Sequence, residues 1–184
     1  TDGSRFAVLA FGKLGGHELN YSSDIDLLAV YEPDPARDPG EERSAYTTVM
    51  TALNRDLTEH TLQGYLYRVD LRLRPFGSSG MLVYPVEAAL EYYRTQAAPW
   101  ERQAAIKLGP IAGNRDLGAR FLRSVHDSIP RRVDAATVTN SIRRLREQKT
   151  RALDVDPGLI DVKEGRGGIR DIEFLVQFLI LCHG

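Results

Sequence analysis

The sequence predicts an α+β fold, in which a mixed α/β front half is followed by a series of helices. Apolar or alternating runs at residues 6–11, 24–31 and 65–73 are typical of β-strands. Between the last two runs, residues 41–63 place apolar side chains at the i, i+3, i+4 and i+7 spacing of an amphipathic helix. From residue 85 onward the pattern is helical. We therefore expect a small mixed sheet with helices packed behind it and after it.

The first two strands are joined by a turn that contains glycines. Residues 6–11 form a continuous apolar run, and Gly15 and Gly16 turn the chain toward the second strand. In that strand, Asp24 and Asp26 alternate with apolar residues. Because successive side chains of a strand point to opposite faces, we expect both carboxylates on one face and the apolar side chains in the core.

The third strand brings another acid to the sheet. A loop rich in Pro and Asp precedes the amphipathic helix, which we expect Gly64 to end. The third strand then carries Asp70, Arg72 and Arg74 on one parity. A turn follows it and leads to a short fourth strand at residues 81–84.

Helices are predicted for the remainder of the chain, at residues 86–94, 99–111, 116–125, 137–153 and 169–181. Since Ile129-Pro130 interrupts this series, we expect one domain over residues 1–130 and a helical domain over 131–184. The chain opens at Thr1 without an initiator Met and stops as soon as an apolar helix has been built. We therefore expect a fragment of a longer protein, with the helical domain truncated.

Composition and charge exclude several classes of function. Of the 184 residues, 42% are hydrophobic and 27% are charged, which is typical of a globular protein. The formal net charge of −1 creates no overall field toward nucleic acid or anionic lipid, so we expect neither as a partner. Cys182 is the only cysteine, and no signal peptide or apolar run of about 18 residues is present. A cytoplasmic location is therefore expected.

Three aspartates carry the chemistry that the sequence indicates. Asp24, Asp26 and Asp70 would meet on adjacent strands, where carboxylates repel one another unless cations complete the arrangement. Hard oxygen ligands suit Mg²⁺, or alternatively Mn²⁺. Two such ions about 3.5–4 Å apart can activate an attacking oxygen and stabilise the leaving oxygen of an in-line phosphoryl displacement. We therefore predict these aspartates to be the metal ligands and catalytic residues of nucleotidyl transfer.

The glycine turn and the residues after it are candidates for phosphate binding. Gly15 and Gly16 would let backbone N–H groups approach a triphosphate, and Ser22 or Ser23 could donate to its oxygens. The turn is neither a Walker loop nor a dinucleotide fingerprint, so its signal comes from its occurrence together with the three acids. Three basic side chains are available as counter-charges to the phosphates: Lys13, Arg72 and Arg74.

Five motifs resemble the family of the glutamine synthetase adenylyltransferase/adenylyl-removing enzyme. They occur in family order: GKLGG at 12–16, ELNYSSDIDL at 18–27, DLRLRP at 70–75, WERQA at 100–104 and GGIRDIEF at 167–174. The resemblance implies a polymerase-β-like nucleotidyltransferase domain over residues 1–130, followed by the start of a helical bundle. It also implies magnesium as the cofactor and ATP, ADP and phosphate as substrates. Glutamine synthetase would be the protein substrate, and the nitrogen-signalling PII protein would be a partner of the full-length enzyme.

The resemblance also bears on the direction of the reaction. The family's enzyme has two catalytic halves: one adds AMP from ATP to a tyrosine of glutamine synthetase, and the other removes it by phosphorolysis and releases ADP. Asn20 and Arg102 resemble the removing half, since the transferring half tends to show Gly and His at these places. We therefore expect the removing half, although residues 107–110 depart from the pattern that it shows.

The two directions make different demands on the site. A tyrosine hydroxyl that attacks ATP must lose a proton, and Asp70 is the candidate acceptor. Phosphate is already anionic at neutral pH and needs positioning instead, for which the candidates are Arg72, Arg74 and Lys107.

Two other functions stay open on the sequence. A nucleotidyltransferase of the same architecture could act on another protein or on a small molecule, although the WERQA and GGIRDIEF motifs argue against it. A catalytically silent module could bind only nucleotide or a signalling protein, although such a module has no reason to keep three mutually repelling acids.

Overall fold

The computed structural model describes residues 4–21, 23–130, 132–151, 161–163 and 165–183. The chain divides into two units, Thr1–Ser128 and Ile129–Gly184. Within the described part of the chain, the first unit contains the sheet and five α-helices, and the second contains two α-helices. None of the helices that the described residues form is long and apolar enough to cross a membrane.

The sheet of the first unit has five strands and mixed polarity. Its order is β3-β2-β1-β5, and β4 also pairs with β2. Strand β1 is antiparallel to β2 and β5, whereas β2 is parallel to β3 and β4. The strands are β1 (Phe6–Phe11), β2 (Asp24–Tyr31), β3 (Arg68–Asp70), β4 (Val83–Pro85) and β5 (Gly109–Gly113). A small mixed sheet with helices confirms the predicted α+β fold of a polymerase-β-like nucleotidyltransferase domain.

Helices connect the strands and cover the sheet. Those of the first unit are α1 (Gly12–Gly15), α2 (Pro39–Thr58), α3 (Val86–Thr95), α4 (Pro99–Ala104) and α5 (Arg115–Ser128). The longest, α2, begins where the side chain of Asp38 accepts hydrogen bonds from the N–H groups of Gly40 and Glu41, at 2.8 and 2.9 Å. Such a capping carboxylate satisfies N–H groups that the first turn leaves without a helical acceptor.

One cluster of the core lies on the α2 side of the sheet. Its buried residues come from alternate positions of β1 and β2 together with Met50 and Val83, and they form one cluster. Phe6 stacks on Tyr46 of α2 with ring centroids 5.2 Å apart, and Tyr31 lies 5.0 Å from the same ring. Because side chains alternate, Asp24 and Asp26 point away from this cluster, to the opposite face of β2.

Three sequence-based element bounds need correction. Helix α2 ends at Thr58 rather than near residue 63, and the third strand is limited to Arg68–Asp70 rather than 65–73. The helix predicted at 99–111 stops at Ala104, and a 3-10 turn at Ala105–Lys107 leads into β5. The prediction for residues 109–111 was therefore wrong. Pro110 has no N–H to donate within a helix, and a strand beside β1 is the alternative that the chain adopts.

The second unit contains α6 (Ala135–Arg151) and α7 (Ile169–His183). Asp171, in the first turn of α7, accepts a hydrogen bond from the N–H of Gly167 at 2.7 Å and forms an ion pair with Arg146 Nε at 2.8 Å. These contacts join the glycine-rich segment to α6. Within the second unit, this acid of the GGIRDIEF motif thus has a structural role.

Candidate functional site

The parallel pairing of β2 and β3 brings the three aspartates onto one face of the sheet. Asp24 is opposite Arg68, and Asp26 is opposite Asp70, in the register of the two strands. Residues two apart on a strand share a face, so Asp24, Asp26 and Asp70 all point the same way. The structure therefore brings together the residues that the sequence singled out as metal ligands.

Arginines neutralise the carboxylates of Asp24 and Asp70. Arg68 Nε donates to Asp24 Oδ1. Arg72 Nε donates to both oxygens of Asp70, at 3.0 and 2.9 Å, and the Arg72 backbone N–H donates to Oδ1 at 2.8 Å. The hydrogen bonds from Arg72 lower the pKa of Asp70 below its ordinary value, against the opposing effect of partial burial. Asp70 is accordingly held as a carboxylate.

Asp26 is the third acid, and it lies beside the turn that follows β1. It pairs with Phe11 across the two antiparallel strands. A Cβ atom placed on Gly12 would lie 3.9 Å from Asp26 Oδ2, so the start of α1 faces this carboxylate. Gly12 has a φ of +59°, a conformation that favours glycine over other residues. The glycine turn and the acidic face are thus neighbours.

The donor set fits a hard divalent cation, although the side chains are engaged elsewhere. Carboxylate oxygens gathered on one face are the ligands that Mg²⁺ and Mn²⁺ prefer. As the side chains stand, the described residues include no group of three His, Cys, Asp or Glu side chains placed to hold a metal ion. Asp24 and Asp70 are instead paired with arginines, so metal binding at this face requires the guanidinium groups to turn away.

An open cleft of about 420 Å³ lies at the β3 edge of the sheet, beside Asp24 and Asp70. Its lining residues come from the start of β2, the end of α2, and β3 with the residues after it: Asp24, Asn54, Arg68, Val69, Asp70, Leu71 and Arg72. Positive and negative side chains are interspersed along it. A cleft with carboxylates and guanidinium groups side by side suits a ligand that brings both metal ions and phosphates.

The predicted glycines pack closely rather than forming an open loop. A Cβ atom on Gly15 would lie 2.1 Å from Ala10 O and 2.2 Å from Lys107 O. The N–H of Gly16 donates to Gly12 O at 2.9 Å. Phosphate binding by Gly16 stays a prediction that requires this hydrogen bond to open. The structure explains why position 15 is a glycine, since no larger residue fits between the carbonyl groups of Ala10 and Lys107.

Lys107 is brought to the glycine turn by this close packing. Its ammonium group forms an ion pair with Glu18 Oε1, and its side chain is 24% exposed. A Cβ atom on Gly109 would lie 2.5 Å from Gly15 O, so the backbone around residues 107–109 is in close contact with the backbone of Gly15. The predicted cation at position 107 is therefore beside the predicted glycines, although it is 91 positions further along the chain than Gly16.

The other predicted phosphate ligands are placed in different ways. Ser22 lies outside the described residues, and Ser23 is half-buried, with its N–H donating to Asn20 O at 3.3 Å. Lys13 is half-buried in α1. Arg74 donates to Leu71 O at 2.6 Å and to three further backbone carbonyls between residues 78 and 81. Its guanidinium group thus braces the loop after β3, and a phosphate role for it stays a prediction.

Two residues of the site were missed by the sequence reasoning. Arg68 has the parity of Asp70 on β3, which is a signal that could have included it. Glu18 carries no such signal, because its partner Lys107 is 89 positions away and only the folded chain brings them together.

The WERQA motif is divided between a buried and an exposed part. Glu101 is buried and accepts hydrogen bonds from Tyr92 OH at 2.6 Å and from Ala98 N at 2.8 Å. Trp100 is 42% exposed. Burial, then the hydrogen bond to Glu101, raises the pKa of Tyr92 from 10.0 to about 12. The acid of this motif therefore fixes α4 against α3.

Two family models match successive parts of the chain. The model described as glutamate-ammonia ligase adenylyltransferase matches residues 1–124. The model described as GlnD PII-uridylyltransferase matches residues 136–184.

Curated relatives match over nearly the whole chain. They include bifunctional glutamine synthetase adenylyltransferase/adenylyl-removing enzymes of Chromobacterium violaceum, 41% identical over 97% of the chain, and of Mesorhizobium japonicum, 44% identical over 98%. A third, of Agrobacterium fabrum, is 43% identical over 100% of the chain. In each case the match covers 19% of the relative, so the chain spans about a fifth of the length of these proteins.

Proposed function

The chain belongs to the glutamate-ammonia ligase adenylyltransferase family, and on this basis we propose that it is a nucleotidyltransferase domain that transfers AMP at a tyrosine of glutamine synthetase. The observation that carries the proposal is the register of β2 and β3, which places Asp24, Asp26 and Asp70 on one face beside basic side chains. Since the match covers only 19% of a relative such as that of Chromobacterium violaceum, the substrate is part of the proposal.

We propose Asp24, Asp26 and Asp70 as the ligands of Mg²⁺, with Mn²⁺ as a substitute. Magnesium bound there would polarise the phosphate that is attacked and stabilise the oxygen that leaves. The protein's own contribution is to hold three carboxylates on paired strands and to keep Asp70 ionised through its hydrogen bonds from Arg72. The proposed ligands of the substrate's phosphate oxygens are Arg72, which lines the cleft, and Lys107, which lies at the glycine turn.

For the direction of the reaction we propose phosphorolysis. An oxygen of inorganic phosphate attacks the phosphorus of the AMP group, the bond from that phosphorus to the tyrosine oxygen breaks, and ADP leaves. The tyrosine oxygen recovers a proton. This direction is supported by Asn20 and Arg102, which resemble the removing half of the enzyme, and by a cleft that offers guanidinium groups to a phosphate.

The reverse transfer uses the same face. The tyrosine hydroxyl would attack the α-phosphorus of ATP, pyrophosphate would leave, and Asp70 would be the proposed proton acceptor. We propose the cytoplasm as the location, which the single cysteine favours. The match of residues 136–184 to a PII-uridylyltransferase model supports the further proposal that the longer protein responds to PII.

A paired assay with Mg²⁺ tests the function and its direction. Adenylylated glutamine synthetase with phosphate is scored for ADP, and unmodified glutamine synthetase with labelled ATP is scored for bound AMP. We expect ADP release, and we expect Asp26→Asn to abolish it. AMP incorporation alone would reverse the proposed direction. Silence in both arms, with metal and nucleotide bound, would refute the proposal that this domain by itself acts on glutamine synthetase.

A further inference from the structure

Arg68 lines the cleft together with two of the three aspartates, Asp24 and Asp70. It is the first residue of β3 and is opposite Asp24 in the register of the strands. Because side chains alternate along a strand, Arg68 shares a face with Asp70. Its side chain lines the cleft and is 54% exposed. A guanidinium group is therefore present at the carboxylates and open to solvent.

Asp24 and Tyr65 are among the partners of this guanidinium group. Its Nε donates to Asp24 Oδ1. Its Nη1 donates to Tyr65 OH at 3.4 Å, and the Tyr65 ring lies 4.8 Å from the ring of His60. The carboxylate and the phenol hold Arg68 from two directions, which reduces the conformational freedom that a long side chain loses on binding a ligand.

Arg74, in the loop after β3, has a structural role and serves as a comparison for Arg68. Its N–H groups are directed at the backbone carbonyls of the loop after β3, including Leu71 O at 2.6 Å and Met81 O at 3.0 Å. It does not line the cleft, whereas Arg68 and Arg72 do. Of the arginines on β3 and the loop after it, the two that face the carboxylates are thus Arg68 and Arg72.

We propose that Arg68 binds the substrate's phosphate and balances the charge of Asp24 until a divalent cation takes its place. The inference rests on the proposed nucleotidyl transfer. A cation bound at Asp24 would compete with Arg68 for the same carboxylate, so Arg68 would give up this ion pair when a metal ion is bound. Released from Asp24, the guanidinium group would be available to the phosphate of a ligand in the cleft, and its fork of N–H donors matches two phosphate oxygens.

Binding measurements on the full chain test this without an activity assay. Titration calorimetry with Mn²⁺ alone, and with ADP in the presence of Mn²⁺, is performed on the wild type and on Arg68→Gln. We expect Mn²⁺ to bind the variant about threefold more tightly, because Asp24 loses a competing ion pair. We expect ADP to bind about tenfold more weakly, because a charge-assisted hydrogen bond to phosphate is lost.

A matched control is Arg120→Gln. Arg120 has an exposed side chain like that of Arg68 (53%) and pairs with Glu32, just beyond the other end of β2. We expect this variant to bind Mn²⁺ and ADP as the wild type does. If Arg68→Gln lowers the melting temperature, Arg68→Lys serves in its place. The lysine keeps the charge but loses the fork, so it should still weaken ADP binding.

Loss of an arginine with only a structural role would not strengthen Mn²⁺ binding and weaken ADP binding at the same time. Mn²⁺ binding that is unchanged or weaker in Arg68→Gln, or ADP binding that is unchanged, would overturn the inference. The outcome is separable from that of the proposed function. If the wild type binds both ligands but acts on neither form of glutamine synthetase, the function fails and the role of Arg68 stands. If the wild type binds neither ligand, both fail.

Discussion

Replacing Gly15 with alanine should destabilise the first unit far more than the same change at its neighbour Gly16. The Cβ atom that alanine adds at position 15 would lie 2.1 Å from Ala10 O and 2.2 Å from Lys107 O, well inside the 3.0 Å below which such contacts essentially do not occur. Both obstacles are backbone carbonyl groups, which cannot rotate away as a side chain can. The end of β1 and the segment at Lys107 would have to separate.

The cost can be estimated from the behaviour of overpacked cores. Forcing an extra methyl group into a filled space costs about 1–3 kcal/mol, and two backbone obstacles place Gly15→Ala at about 3 kcal/mol. For a unit of this size, that lowers the melting temperature by about 10 °C. At Gly16 the nearest atom is Glu18 Oε1 at 3.0 Å, the end of a flexible side chain. Gly16→Ala should therefore cost less than about 1 kcal/mol.

Urea unfolding followed by circular dichroism measures both variants against the wild type, with the slope m checked for constancy. A Gly15→Ala variant within about 0.5 kcal/mol of the wild type would refute the packing argument. If the glycines served only to admit a phosphate, the two variants would instead keep their stability and lose nucleotide binding to a similar extent.

Three further predictions concern the acids and the phenol of α3. Asp26→Asn should lower AMP transfer by more than about 100-fold, because a metal ligand is lost, while the melting temperature stays the same or rises as repulsion between carboxylates is relieved. Normal turnover would remove the metal proposal. Glu101→Ala should cost about 2–4 kcal/mol in urea unfolding, because Tyr92 OH and Ala98 N lose their acceptor, and Glu101→Gln, which keeps an acceptor oxygen, should cost less. The pKa of Tyr92 is raised from 10.0 to about 12, so its contribution to stability is complete below pH 10 and is lost as the pH rises through 12. In Tyr92→Phe, the free energy of unfolding should depend less on pH between pH 10 and about 12 than in the wild type. A pH profile identical to that of the wild type would contradict this.

Local patterns identified the first two strands correctly, whereas pairing decided the others. The apolar run of β1 and the alternation of β2 are signals within the segments themselves, and both strands have the predicted bounds. The limits of β3 depend on how far it pairs with β2, and those of β5 on its pairing with β1. Neither is recorded in the periodicity of residues 65–73 or 99–111. Within the sequence itself, Gly109 and Pro110 were the residues that argued against a long helix, because both disfavour the interior of a helix.

The same distinction applies to the site. Parity along two strands was sufficient to place Asp24, Asp26 and Asp70 on one face, once the strands were taken as neighbours. The ion pair between Lys107 and Glu18 depends on the close packing of Gly15, which spacing along the chain does not encode. Pattern reasoning therefore identified the charged groups, and only the fold shows how they are paired.

The edge position of β3 has a consequence for how the site responds to its ligands. This strand has three residues and, among the strands that the described residues form, pairs only with β2, so its amides should exchange with solvent faster than those of the central strand β1. A local opening there would separate Asp70 from Asp26 without unfolding the core. Any ligand that bridges the two carboxylates acts as an additional bond across that edge, and its binding free energy is added to the stability of the strand pair. Opening of the β2–β3 pair and release of the bound ligand would then occur together, as one cooperative event.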